Sequence, residues 1–557
     1  MSPGPEKSPL RFFHPALAAS LVFATASVAV AQGTVKREDL APSAAYEEHG
    51  RGVVREDLDP VMAADGSGLP HELWNGLSAE QFAQAIAVLD LPPRSPALHA
   101  LWRRLIGADT VPVSGTDGSR FTALRVEALD QTGLIDEVAA VLARDPSASN
   151  DPLLLALTAR NEIGLGNSER GCEIGRGLLA RQSALPKPMR GDVLLINGYC
   201  GAMRGDTAGA AIQAGLMREL DLGGAGADLL DAVAGGLKPD IPAGSKLSLL
   251  DYRVAALGGA ADRDKLIASA SPALLAGLAH DPRVAADIRV SAGEAAASLN
   301  AISYQDLAAL YRSNAGASER VKLFTSAESE RTPFKKARLI RAFLDDARRA
   351  DLYWPGLKVM VEPTQALQPV PEIGWFAETA IEVNLAAGNF DGARAWTRLG
   401  EQLGTPNPAA SQPLVHWTAL VDIADPTSVA DGGRGLSSID GRFDAALLHR
   451  LATVLDALDM HVPTGLWEMA SRSPQPAGGH LPDTGVLSEL ADASQKRQFG
   501  RTVLLVMRAL GAQGAEGAHM IALGDSLRAL NRAGLKAEAR QLALEALLAS
   551  WPRSVSQ

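Results

Sequence analysis

The sequence predicts an all-α protein, an α-solenoid of antiparallel helical hairpins carried behind a disordered N-terminal tail. Three observations point there. Pairs of amphipathic segments joined at a glycine recur along the chain. Strand-like alternation of apolar and polar residues is rare. Aromatics make up only 5% of the residues, while Ala, Leu and Gly are abundant, and small residues let helices approach closely.

The elements follow in chain order. Lys7 and Arg11 precede an apolar stretch from about Ala16 to Ala31, and Ala29-Val30-Ala31 offers small residues before Gln32. This reads as a secretory signal peptide over 1–31, cleaved after Ala31, with a short membrane anchor as the alternative. No later stretch is long and apolar enough to span a bilayer, so no transmembrane segment is expected after cleavage. The expected compartment is the periplasm. Residues 32–77 read as a flexible tail, charged and rich in Ala, Gly and Pro. It holds a short duplication, "VKREDLAP" at 35–42 and "VVREDLDP" at 53–60. That is either a docking peptide used twice or a local duplication without consequence.

Residues 78–222 read as N-terminal helical repeats. Their turns fall at Gly133, Gly166 and Gly205, spaced by 33 and 39 residues, the period of helical-hairpin repeats. A glycine at such a turn supplies the left-handed conformation that ends one helix, and an Asn or Asp can cap the next. The two cysteines, Cys172 and Cys200, are equidistant from position 186, inside the Pro-containing turn between two of these helices. Equidistant residues of an antiparallel pair lie level with each other. Cys172 shares a face with Gly175 and Leu179, and Cys200 with Val193, Ile196 and Met203. A disulfide is therefore expected, with two buried thiols as the alternative.

Residues 223–330 read as a central helical section: a helix and long linker over "GGAGADLLDAVAGGLKPDIPAGSK", then short helices broken at "HDPR" and "NAIS". Residues 331–557 read as C-terminal helical repeats with turns at Gly388 and Gly534. Trp375, Trp396 and Trp417 are spaced by 21, which predicts one in each of three successive helices and a core role. The helix "PFKKARLIRAFLDDARRADLYW" divides into an apolar face (Ile340, Phe343, Leu344, Ala347) and a charged one (Lys335, Arg338, Arg341, Asp345, Arg348). Lys335, Lys336, Arg338 and Arg341 are the candidate interaction residues, for anionic lipid or an acidic partner; a solvated face with internal ion pairs is the bland alternative.

Ala387-Gly388-Asn389-Phe390 followed by Ala393, and Ala533-Gly534-Leu535 followed by Ala537, resemble the core of the tetratricopeptide repeat. The family's first-helix aromatic positions are mostly missing, and the match covers about half of the chain. The whole is also similar to long Ala-rich exported helical proteins of alphaproteobacteria. The resemblance implies stacked hairpins and a partner protein or peptide held along their surface.

Chemistry is sparse. "GDSL" at 524–527 spells the signature of a serine esterase family, but that nucleophile follows a β-strand and needs a base within reach. Here Ser526 is expected inside a helix, no His follows it, and His519 lies upstream without an evident third member. Ser526 is read as a chance match and no catalytic residue is assigned. None of the ten His pairs at i,i+3 or i,i+4, so no metal site is expected. The glycines of "GGAGAD" lack a preceding strand and a following Gly-Lys-Ser/Thr, so no cofactor is expected. With 53 basic and 64 acidic residues the net charge is −11, which argues against nucleic acid. These readings converge on a non-enzymatic periplasmic scaffold or adaptor for a protein or peptide partner of the cell envelope. The alternative is an envelope enzyme, or a regulatory subunit, acting on cell-wall polymer. Soluble lytic transglycosylases also carry long helical arrays, but no globular end domain of their kind is visible after residue 331.

Overall fold

Helices end where the glycines stand. Gly133, Gly166, Gly205, Gly388 and Gly534 all have positive φ, between 70° and 96°. Each separates two helices: Gly118–Thr132 from Ile135–Arg144, Pro152–Leu165 from Ser168–Leu178, Lys187–Met203 from Thr207–Glu219, Ala377–Ala386 from Phe390–Gly404, and Met520–Arg532 from Lys536–Leu548. At every one the residue after the glycine donates its N–H back five positions, as from Leu134 to Leu129 and from Leu535 to Leu530. That bond satisfies a carbonyl the finished helix would otherwise leave orphaned. Side-chain capping of the second helix is less regular. Asp206 and Asn389 accept from the N–H groups of Gly209 and Gly392, whereas Asn167 turns its amide to Glu162.

These elements belong to a computed structural model that describes residues 69–115, 118–241, 244–259, 262–404, 408–428 and 443–553. All of them fall in one unit, Asp59–Gln557. The expected signal peptide and both copies of the duplicated octapeptide lie outside the described residues. The secondary structure described is helical, without a strand, so the chain is all-α. No helix among the described residues is long and apolar enough to cross a membrane.

Five further turns work the same way without glycine. Asp221, Asn300, Asp351, Asp459 and Arg497 take φ between 50° and 58°, and the residue after each makes the same backward bond. A search for glycines misses these turns. The tail predicted over 32–77 is also too long at its end. Leu69, Leu73 and Trp74 are buried, and Trp74 packs against Phe82 and Phe121 with ring centroids 4.7 and 6.2 Å away.

The breaks read at "HDPR" and "NAIS" are present. Helices Pro272–His280, Ala286–Ser298 and Tyr304–Ser313 are interrupted at the two predicted breaks. The tryptophan row divides. Trp396 and Trp417 are core, but Trp375 sits on a 3-10 turn, Pro371–Phe376, and is 40% exposed. The turn sets its side chain outside the stack, which corrects the expectation of three buried rings.

The Cys172–Cys200 disulfide is present, with Cα atoms 5.7 Å apart. It ties the Ser168–Leu178 helix to Lys187–Met203. A Cβ added at Gly175 would stand 2.4 Å from Ile196, so this helix pair packs at a distance only glycine allows.

Packing departs from a stack in which each hairpin touches only its neighbours. The Gly118–Thr132 helix packs on Pro272–His280, and Pro152–Leu165 packs on Leu249–Leu257. The Pro96–Gly107 helix packs on Lys536–Leu548, so the beginning and end of the described chain meet. Backbone bonds reinforce the meeting, with the Gly500 N–H donating to the carbonyl of Leu73 at 3.0 Å.

Candidate functional site

The meeting of first and last helices creates the most chemically loaded region. Ser95 caps the Pro96–Gly107 helix, its Oγ accepting from the Leu98 N–H at 3.1 Å. Pro96 occupies the first turn, where a missing N–H costs nothing. The amide of Ala97 points outward, and Glu545 of the last helix receives it at 2.6 Å. The second Glu545 oxygen accepts from Ser95 Oγ. Glu545 is 4% exposed. Burial pushes its carboxyl up to about 7, against the Ser95 and Ala97 donors and the field of Lys358. A carboxylate at a helix N-terminus also meets the positive end of the dipole.

Three clefts surround this junction. One of about 250 Å³ runs between Ala97, Leu101, Arg104, Trp354, Lys358 and Glu545. Another, of about 400 Å³, is lined by Tyr304, Arg312, Lys358, Glu362 and Asn389, so Lys358 belongs to both walls. A third of about 280 Å³ lies beyond Trp354 and Glu545 and includes Asn300 and Glu516. The Trp354 indole donates to Glu516 at 3.1 Å, which fixes the ring between the first and third clefts. Behind Leu101 and Trp102, His99 is 4% exposed. Burial, then Arg103 and Lys358, push its imidazole down to about 3, so it is neutral at any ordinary pH.

Elsewhere several buried charges are paired. Arg160 meets Glu127 at 2.9 Å and Asp192 at 3.0 Å. Asp281 meets Arg253 at 2.9 Å and Arg283 at 2.8 Å. Glu382, 3% exposed, is held by Arg348 at 3.1 Å and by Arg553. Lys358 differs: its ammonium makes no hydrogen bond or ion pair among the described residues, and burial lowers its pKa against the pull of Glu545.

The predicted interaction residues are on the Pro333–Arg349 helix. Its apolar face is as read: Ile340, Phe343, Leu344 and Ala347 are all buried. Lys335 and Arg338 are exposed, and Arg341 is half-buried. Lys336 is not on that surface. It is 8% exposed and its ammonium donates to the carbonyl of Glu328 at 3.2 Å, because its position falls on the inward side of the first turn. Next to the remaining cations lies an aromatic pair that the sequence reading did not join to them. Phe334 and Trp375 are 48% and 40% exposed and stand edge to face, with centroids 5.8 Å apart. The guanidinium of Arg338 lies over Phe334 and that of Arg341 over Trp375, at 6.0 and 5.8 Å.

Ser526 lies within the Met520–Arg532 helix at 0% exposure, and its Oγ has no hydrogen-bond partner. His519 caps the same helix, its ring nitrogen accepting from the Ile521 N–H at 3.3 Å. Seven helical steps separate the two by about 10 Å, out of reach for proton transfer.

Glu545 and Lys358 went unmarked in the sequence reading. A signal existed for the first: in "LALEALL" every residue but the glutamate is apolar, so this second half of the helix is buried on all sides and the one charge within it must find donors. Lys358 sits in no comparable pattern. No family model, no curated protein and no solved structure matches the chain.

Proposed function

We propose that this chain is an exported, non-enzymatic helical scaffold or adaptor that holds a protein or peptide partner of the cell envelope. The observation that carries the reading is the Phe334–Trp375 pair with Arg338 and Arg341 over its rings. Two large aromatics in adjoining exposed positions keep apolar area in water, and Trp and Arg are the side chains that most often dominate binding energy at protein interfaces. Lys335 extends the positive charge at the same helix start. The partner surface that complements this face is acidic, with an apolar residue to cover the rings. The disulfide supports an oxidising compartment, as an exported chain would meet.

The test is photo-crosslinking from position 338 in the native envelope, followed by mass spectrometry. One partner, crosslinked through an acidic segment and lost in a Trp375→Ala, Arg341→Glu variant of unchanged melting temperature, is the expected result. Crosslinks that spread over unrelated proteins, or that survive the double substitution, overturn the proposal.

A further inference from the structure

Lys358 stands on the common wall of the 250 and 400 Å³ clefts. Every other charge facing those clefts is already committed. Arg104 pairs with Glu538, and Arg312 with Glu328 and Glu362. Glu545 spends both oxygens on Ser95 and Ala97 at the start of the Pro96–Gly107 helix. His99, behind the wall, is neutral. Lys358 is half-buried and its ammonium faces the clefts without a protein partner, so an anion entering there meets an uncommitted cation in surroundings less watery than bulk solvent. The rest of the wall suits an apolar body: Ala97, Ala100, Leu101, Ala386 and Ala537 are small or aliphatic, and Trp354 offers a ring held in place by Glu516.

We propose that this cleft binds a small organic acid, its carboxylate on the Lys358 ammonium and its apolar body between Leu101 and Trp354. The charge count selects a monoanion. A phosphate calls for several donors or a guanidinium fork, and here one cation stands open beside two carboxylates, Glu545 and Glu538. The volumes suit a compact ligand. Such a carboxylate belongs either to a free acid or to the end of a short peptide. The site is separate from the outer face of the Pro333–Arg349 helix, and stands or falls independently of the adaptor reading.

The full chain is titrated calorimetrically with 4-phenylbutyrate and with N-acetyl-Gly-Phe, each beside its carboxamide, at constant ionic strength. Saturable binding of at least one acid, with neither amide bound, is the expected result, and the tighter acid identifies the source. Lys358→Met weakens the acid at least about tenfold while its own melting temperature stays level or rises, since an unpartnered charge has gone. Trp354→Leu weakens phenylbutyrate more than butyrate. Four results overturn the proposal: no saturation by either acid up to about 10 mM, equal binding of acid and amide, Lys358→Met that binds like the parent, or Lys358→Met that loses both stability and binding. The last would make Lys358 a counter-ion for Glu545. Should Lys358→Met not fold, Trp354→Leu and the acid–amide comparison decide alone.

Discussion

Ser95 donates its hydroxyl to Glu545 across 450 residues of sequence. The same serine caps its own helix, so the carboxylate and the cap form one unit. Through it the Lys536–Leu548 helix seats the Pro96–Gly107 helix, and the two ends of the described chain hold one another.

Replacing Glu545 tests that clamp. At pH 5, Glu545→Ala leaves the Ala97 N–H and the Ser95 hydroxyl without their buried partner and is expected to cost about 2–4 kcal/mol, read from urea unfolding. Glu545→Gln, which keeps the shape and an acceptor, costs less.

The same carboxyl gives a pH dependence. Its folded pKa, near 7, lies above the ordinary value of 4.5. The folded state thus binds the proton more tightly, and the stability this confers is complete below pH 4.5 and is lost as pH rises through 7. The parent protein should lose up to about 3 kcal/mol relative to Glu545→Gln between pH 4.5 and 8. Parallel stability curves for the two proteins would contradict the burial of a titrating carboxyl here.

Left-handed turns give a paired prediction. Gly534→Ala adds a methyl group into open space, since nothing lies within 4 Å of the new carbon. Any loss is therefore backbone strain, about 1 kcal/mol. Arg497→Gly relieves the strain of a side chain at φ 50° and should gain a similar amount or somewhat less. Chemical denaturation of the two variants against the parent measures both signs.

The disulfide closes a separation of 28 residues. Its loss in Cys172→Ala, Cys200→Ala should cost about 3–4 kcal/mol on the chain-entropy argument. Alkylation of the denatured parent without reductant should add no mass, and after reduction should add two alkyl groups.

Ser526→Ala removes a buried hydroxyl that has no partner. The expected change in stability is within about 0.5 kcal/mol of zero, or a slight gain, and any esterase background should stay where it was. A fall in hydrolysis specific to this variant would reopen the catalytic reading of the motif.

The fold was legible wherever a single residue type carries the physics. Glycine marks a left-handed turn because no other residue enters that region without cost, and all five turns read from glycine are real. Turns at Asp221, Asn300, Asp351, Asp459 and Arg497 were silent. Asn and Asp tolerate that conformation but also occur everywhere on helix surfaces, and Arg carries no such signal at all. The cysteine pair was legible because two antiparallel helices joined by a short turn fix its register. The clefts were not. Ala97, Trp354, Lys358 and Glu545 come from three distant parts of the chain, and no period or spacing relates them. The exposed aromatic pair was half legible: the cations of the Pro333–Arg349 helix stood out, but the neighbouring Trp375 was read as one member of a buried row.

Synthesis proceeds from the amino end, and the clamp described above depends on a residue made 450 positions after Ser95. Until the Lys536–Leu548 helix has emerged, Ser95 and Ala97 lack the acceptor that completes their helix start, and the surface that helix will cover stays wet. Contacts so far apart in sequence form late. A growing chain of this kind stays unfinished around Ser95 until the Lys536–Leu548 helix arrives. Ending the chain before Lys536 would therefore be felt at Ser95 and Ala97, as proteolytic cleavage around residues 93–97.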